Sequence, residues 1–131
     1  MDIRIAVFLL TAFFLVAGCS DGSDSPDPTS VALKILVTND DGIDAPGIDA
    51  LVNTLLDMEN VEIEVVAPAE NQSGSSDRTT EGDLVWQDSA TTSGYPAVAV
   101  FGFPADSVLV ALNELNIEPH VVVSGVNRGQ N

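Results

Sequence analysis

Asp40 and Asp41 stand side by side between Asn39 and Gly42, directly after the apolar run KILVT. Adjacent carboxylates repel each other unless a cation lies between them, and a divalent metal is the simplest cation to supply. Asn, Asp and Gly are also the commonest turn formers, so these four residues alone read equally well as a solvated turn. Two further polar clusters likewise follow apolar runs: residues 71–76, NQSGSS, and the SGVN segment that holds Ser124 and Asn127. Carboxylates, hydroxyls and carboxamides together are hard oxygen donors, suited to Mg²⁺ or Mn²⁺, with Ca²⁺ also admissible, rather than to zinc. Gly42, Gly74, Gly125 and Gly129 would let backbone N–H groups come close to an anion. A metal beside an anion cradle is the equipment of phosphate chemistry: the metal polarises a phosphoryl group and acidifies water while a carboxylate helps to move the proton.

For the three clusters to meet, the elements carrying them must run the same way. Residues 33–38 form a strand rich in Ile, Leu and Val, and polar residues beyond the carboxyl end of such a strand fall in the crevice where α/β sheets bind ligands. A helix follows, with Asp44 placed to cap it, Pro46 early, and Ile48, Leu51, Val52 and Leu55 at helical spacing. Residues 61–67 make a second strand ended by Pro68. Residues 70–83 are mostly Ser, Thr, Gly, Asn and Asp, a loop long enough to be functional or mobile. Residues 84–86 and 97–101 are short extended pieces with Ser93 and Gly94 turning between them, a hairpin at a sheet edge. A second helix is expected over residues 104–116 with Val108, Leu109, Leu112 and Leu115 inward, and residues 121–123 give a further apolar strand after Pro119. The alternation predicts an α/β fold, a Rossmann-like mainly parallel sheet flanked by helices, with all three clusters at one edge. Each cluster alone says little, and their convergence is what points to a ligand site. His120 lacks a second His or Cys to complete a transition-metal site and reads as structural.

The chain has 131 residues, room for one domain. Its first 18 residues carry Arg4, an apolar run over residues 5–16 and a small-residue exit, the parts of a secretory signal. The run is shorter than the roughly 20 residues a permanent span needs. LVAGC resembles the lipobox of bacterial lipoproteins, which implies cleavage before Cys19, lipidation of that residue and export, and Ser20 after it implies outer-membrane sorting. Cys19 is the single cysteine, so no intramolecular disulfide forms. Residues 19–30 read as an acidic flexible tether, and the folded part is expected over residues 31–131. The formal net charge is −16, and Lys34, Arg78 and Arg128 are the only Lys or Arg after the signal, which excludes a basic surface for a nucleic-acid duplex. The acidic surface that this charge implies keeps a protein soluble and suits a salty habitat. It also means that metal and arginine must receive any phosphate ester against a repulsive field.

In order and spacing, ILVTNDDGIDAPGI, VVAPAENQSGSS, GFPADSV and VVVSGVNRGQN resemble the SurE family of survival proteins, metal-dependent 5′/3′-nucleotidases and acid phosphatases, over residues 33–131. The resemblance implies that Asp40, Asp41, Ser73 and Asn127 are metal ligands, that Asp40 or Asp41 assists proton transfer, and that Asn39 and Ser124 orient the site. A contact between Arg128 and substrate phosphate is inferred from charge alone. Two residues depart from the family's GTPxDCV block: Phe103 stands for Thr and Ser107 for Cys. The family pattern runs on past Asn131, so the chain is expected to hold the first half of the domain, and the whole protein to be a homo-oligomer. The expected function is phosphate release from nucleoside monophosphates or other small phosphomonoesters. The alternative is a membrane-tethered module that binds metal or nucleotide without turnover. A haloacid-type aspartyl nucleophile needs Asp-x-Asp spacing, which adjacent Asp40 and Asp41 do not provide.

Overall fold

In the computed structural model, which describes residues 31–129, the chain runs β1 (Leu33–Thr38), α1 (Pro46–Leu56), β2 (Val61–Pro68), β3 (Trp86–Ala90), β4 (Pro96–Val100), α2 (Pro104–Leu109), a π-helical turn (Val110–Glu114) and β5 (Val121–Ser124). The signal segment, Cys19 and the tether lie outside the described residues.

The strands form one sheet in the order β3-β4-β2-β1-β5. β1 is parallel to β2 and to β5, with Val37 opposite both Val65 and Val123. β2 is parallel to β4, and only β3 runs antiparallel, paired with β4 as a hairpin. The carboxyl ends of β1, β2 and β5 therefore reach the same edge. The sheet order reverses at β1, which the chain leaves on one side for β2 and later rejoins on the other with β5. Ligands of open α/β sheets bind at such a switch point.

Strand alternation divides the core between two faces. Ile35, Val37, Val65 and Ala67 pack with Ile48 and Val52 of α1, while Leu36, Val66 and Val100 pack with Val110 and Ala111 beyond α2. Each fully buried aliphatic side chain contributes roughly 1.5–3 kcal/mol, so both faces are needed to hold β1 at the centre.

Three local expectations change. Asp44 does not cap α1: the cap position is Ala45, in extended conformation with no side-chain bond, and Pro46 occupies the first turn, where its missing N–H costs nothing. Asp44 is exposed, and its carbonyl accepts the Thr92 hydroxyl at 3.2 Å. The second helix has a different inner face: Asp106, Ser107, Val110 and Ala111 are buried, whereas Leu109 and Leu112 are 40% and 41% exposed. Asp106 causes this, because its carboxylate accepts Thr80 N–H at 3.1 Å, the Thr80 hydroxyl at 2.7 Å and Phe103 N–H at 2.8 Å, and so must face inward. The π turn that follows advances the register and brings Leu115 back against the core. The hairpin's first strand starts at Trp86 and continues through Gln87, Asp88 and Ser89, polar residues that an edge strand tolerates.

His120 is structural: its Nδ1 accepts the Lys34 backbone N–H at 3.0 Å while its backbone N–H donates to the Lys34 carbonyl at 2.9 Å, which sets the start of β5 against β1.

Candidate metal centre

The turn after β1 is built by Asn39. Fully buried, its carboxamide closes on one residue, accepting Gly42 N–H at 3.2 Å and donating to the Gly42 carbonyl at 2.9 Å. Both ends of the side chain are thereby occupied, and Asp40 and Asp41 are turned out at the sheet edge. Gly42 has φ +99°, and a Cβ there would lie 3.0 Å from the Glu70 carbonyl carbon, so no other residue fits as well.

Asp41 is where the three strand ends meet. One oxygen accepts the Ser73 hydroxyl and the Asn71 carboxamide N–H, each at 3.1 Å, and the other accepts Arg128 N–H at 2.6 Å. The Arg128 N–H is the strongest influence holding this carboxyl below its ordinary range; partial desolvation opposes it, and Ser73, Asn71 and the Arg128 charge add to the lowering. The Arg128 side chain is exposed, so it is the backbone of this residue that touches the carboxylate. The loop carrying Ser73 is fixed as well, since Gln72 N–H donates to the Asp40 carbonyl at 2.7 Å.

Oδ1 of Asp40 and Oδ1 of Asn127 are buried without a hydrogen-bond partner, as is the Thr38 hydroxyl at the end of β1. Orphaned buried oxygens are costly, and coordination to a cation would satisfy such an atom. The Ser73 hydroxyl and the Asp41 oxygen lie 3.1 Å apart. Neighbouring ligands of an octahedral Mg²⁺, each about 2.0–2.1 Å from the ion, have about that separation. Asp40, Asp41, Ser73 and Asn127 thus fit a hard divalent cation. Among the described residues no three His, Cys, Asp or Glu come together, so the charge would rest on two carboxylates with neutral oxygens completing the set. Ser124 ends β5 opposite Thr38 and is exposed.

Beside these oxygens lies a cleft of about 690 Å³ lined by Asp41, Gly47, Glu70, Asn71, Asn127 and Arg128 among others. The first turn of α1 forms one wall and comes very close: a Cβ on Gly47 would fall 1.7 Å from the Val126 carbonyl oxygen. Only glycine lets the helix seat against the loop that carries Asn127. Gly47 is a site residue that the sequence pattern did not point to, and Asn71 belongs to the 71–76 cluster without a role of its own being expected. A glycine just inside a helix was the available signal for one of them.

The family model described as "Survival protein SurE" matches residues 35–131. A relative from Halobacterium salinarum named 5′-nucleotidase SurE is 49% identical over 98 residues, covering 75% of this chain and 35% of its own length. One from Cronobacter sakazakii, named 5′/3′-nucleotidase SurE, is 45% identical over 103 residues, 76% of this chain and 38% of its own. The crystal structure of a SurE protein from Aquifex aeolicus superposes with a TM-score of 0.61 at 34% identity, covering 75% of this chain and 39% of that one. The chain spans little more than a third of the length of these relatives.

Proposed function

The chain belongs to the SurE family of survival proteins, and from that premise we propose that it serves a metal-dependent phosphomonoester hydrolase that releases phosphate from nucleoside monophosphates. The observation that carries this reading is the meeting of Asp40, Asp41, Ser73 and Asn127 at the sheet's switch point, with two buried oxygens left without partners. The names of the relatives from H. salinarum and C. sakazakii support the substrate class.

These four residues would hold Mg²⁺ or Mn²⁺, with Ca²⁺ a third fit by donor chemistry. A divalent ion bound there supplies charge to withdraw electrons from the phosphoryl group and to acidify an attacking water. Asp41, fixed by three donors and held ionised, keeps its orientation and its charge. Asp40 or Asp41, through an oxygen that the ion does not occupy, would help to move the proton of the attacking water. The Arg128 guanidinium, exposed on the cleft rim, offers the phosphate dianion a counter-charge where net charge is otherwise unfavourable. Asn39 serves through the turn it closes, and Ser124 through the strand end it occupies.

The test is phosphate release by the intact protein from a nucleoside 5′-monophosphate, with Mn²⁺ or Mg²⁺ and then with a chelator. Turnover that chelation abolishes and metal restores is the expected result. Turnover indifferent to the chelator overturns the metal assignment, and binding of metal and nucleotide without release favours the tethered binding module. We also propose that Cys19 carries a lipid that anchors the exported protein to the outer membrane, and that the whole protein is a homo-oligomer. Metabolic labelling with a radioactive fatty acid checks the first, with label absent from Cys19→Ser, and sedimentation of the intact protein checks the second.

A further inference from the structure

Asn71 stands in the loop after β2, and both ends of its side chain are bonded. Its carboxamide oxygen accepts the Ser73 backbone N–H at 2.9 Å, and its side-chain N–H donates to Oδ1 of Asp41 at 3.1 Å. The same Asp41 oxygen accepts the Ser73 hydroxyl at 3.1 Å, so three hydrogen bonds close a ring through Asn71, Ser73 and Asp41. The loop backbone is held separately, by Gln72 N–H on the Asp40 carbonyl at 2.7 Å and Ser75 N–H on the Gln72 carbonyl at 3.0 Å. Those two bonds place the loop, but neither reaches the Ser73 hydroxyl or the Asp41 carboxylate.

The oxygen half of this arrangement is ordinary, since Asn side chains bond the backbone two residues on in many turns. The nitrogen half is not local: Asp41 lies 30 positions earlier, at the end of another strand. Among the described residues Asn71 alone bonds to both Asp41 and Ser73. A carboxylate oxygen has lone pairs enough to accept a carboxamide N–H and still face an ion. Outer partners of this kind orient metal ligands, and losing one typically costs about 10–100-fold in metal affinity. Asn71 is itself exposed on the wall of the cleft beside Asp41, so its side chain contributes no core packing. We infer that Asn71 is a positioning residue, which holds the Ser73 hydroxyl and the Asp41 carboxylate at the spacing one divalent cation needs before that cation arrives. This rests on the metal assignment above and deepens it, by naming the side chain that joins two ligands from different strands.

Two variants of the intact protein separate the two halves of the side chain. Asn71→Ser keeps an acceptor for the Ser73 N–H, because hydroxyls make the same turn more weakly, but it is too short to reach Asp41; Asn71→Ala loses both bonds. Metal-free protein is titrated with Mn²⁺ by calorimetry, and its unfolding temperature is measured without metal. Both variants should bind Mn²⁺ about 10–100-fold more weakly than the parent. The unfolding temperature of metal-free Asn71→Ser should not change, as expected of an exposed position. In phosphate release from a nucleoside 5′-monophosphate, the Mn²⁺ concentration giving half of full activity should rise by the same factor, while kcat and KM return to the parent's values at saturating Mn²⁺. A residue that merely shaped the loop would lower kcat at saturating metal as well. The role is overturned if Asn71→Ser binds Mn²⁺ as tightly as the parent, if its metal-free form unfolds at a lower temperature, or if saturating Mn²⁺ fails to restore kcat. Failure of the parent to bind Mn²⁺ would remove the metal assignment and this role together, whereas equal binding by parent and variants would remove the role alone. Weaker Mn²⁺ binding by both variants, with no ester turned over by the parent, would keep the role and remove the nucleotidase.

Discussion

Asp41 shows how much one side chain depends on residues far away in sequence. Its partners Asn71 and Arg128 lie 30 and 87 positions along the chain. Asp41→Asn keeps the shape and removes the charge. Mn²⁺ affinity measured by calorimetry should then fall by at least a hundredfold, since loss of a mere outer-shell partner already costs about 10–100-fold; unchanged affinity would remove Asp41 from the metal set. Ser107 gives a contrasting expectation. Its hydroxyl is fully buried and has no partner, so Ser107→Ala should raise the urea-unfolding free energy by about 1 kcal/mol. The three polar clusters after apolar strands were legible in the sequence as oxygen-bearing residues converging on one sheet edge, whereas the choice of Asp40, Asp41, Ser73 and Asn127 among them came from the family resemblance. The parts played by Asn71 and Gly47 were not legible, because they depend on a contact with Asp41 and a near-collision with Val126 that no local pattern encodes.

The elements that hold the site are latched by two carboxylates in different settings. Asp106 is fully buried and satisfies Thr80 and Phe103, so Asp106→Ala should destabilise the fold by about 2–4 kcal/mol and loosen the long loop, read by chemical denaturation and by amide exchange at Thr80. Asp49 on α1 is exposed to solvent in part and ties the hairpin turn, accepting Ser93 N–H at 2.8 Å and the Ser93 hydroxyl at 2.7 Å. These bonds favour the ionised form and hold its carboxyl below the ordinary value, the Ser93 N–H first. A carboxyl lowered on folding adds stability above its unfolded value and loses it as pH falls through the folded one. The stability difference between the parent and Asp49→Asn should therefore be constant near neutral pH and vanish in acid below the ordinary carboxylate range, as followed by thermal unfolding across pH. A difference that grew in acid would contradict the assignment. The mainly parallel sheet, the edge hairpin and the helix positions could be anticipated from β-branched runs and from Pro46 and Pro104. The inward face of the second helix could not, since the leucines obey helical spacing while the buried carboxylate, invisible to any hydrophobic pattern, decides which way the helix turns.

On the scale of the whole molecule, charge and topology set the working conditions. With a formal net charge of −16, the protein repels the anionic ester it is proposed to receive. Screening lengths shrink from about 10 Å at 0.1 M salt to about 3 Å at 1 M. KM for a nucleoside monophosphate should consequently fall as KCl is raised over that range, and a rise would indicate that Arg128 and the metal dominate the approach. The switch-point arrangement has a consequence in time as well as in space. β1 pairs with β2 soon after both exist, but the β5 loop that bonds Asp41 arrives 87 residues later. Contacts of such long sequence separation close late and slowly. During synthesis Asp40 and Asp41 therefore leave the ribosome long before Asn127 does, and on the proposed metal assignment the set of oxygen donors would be complete only once the segment after β5 that carries Asn127 has emerged and docked.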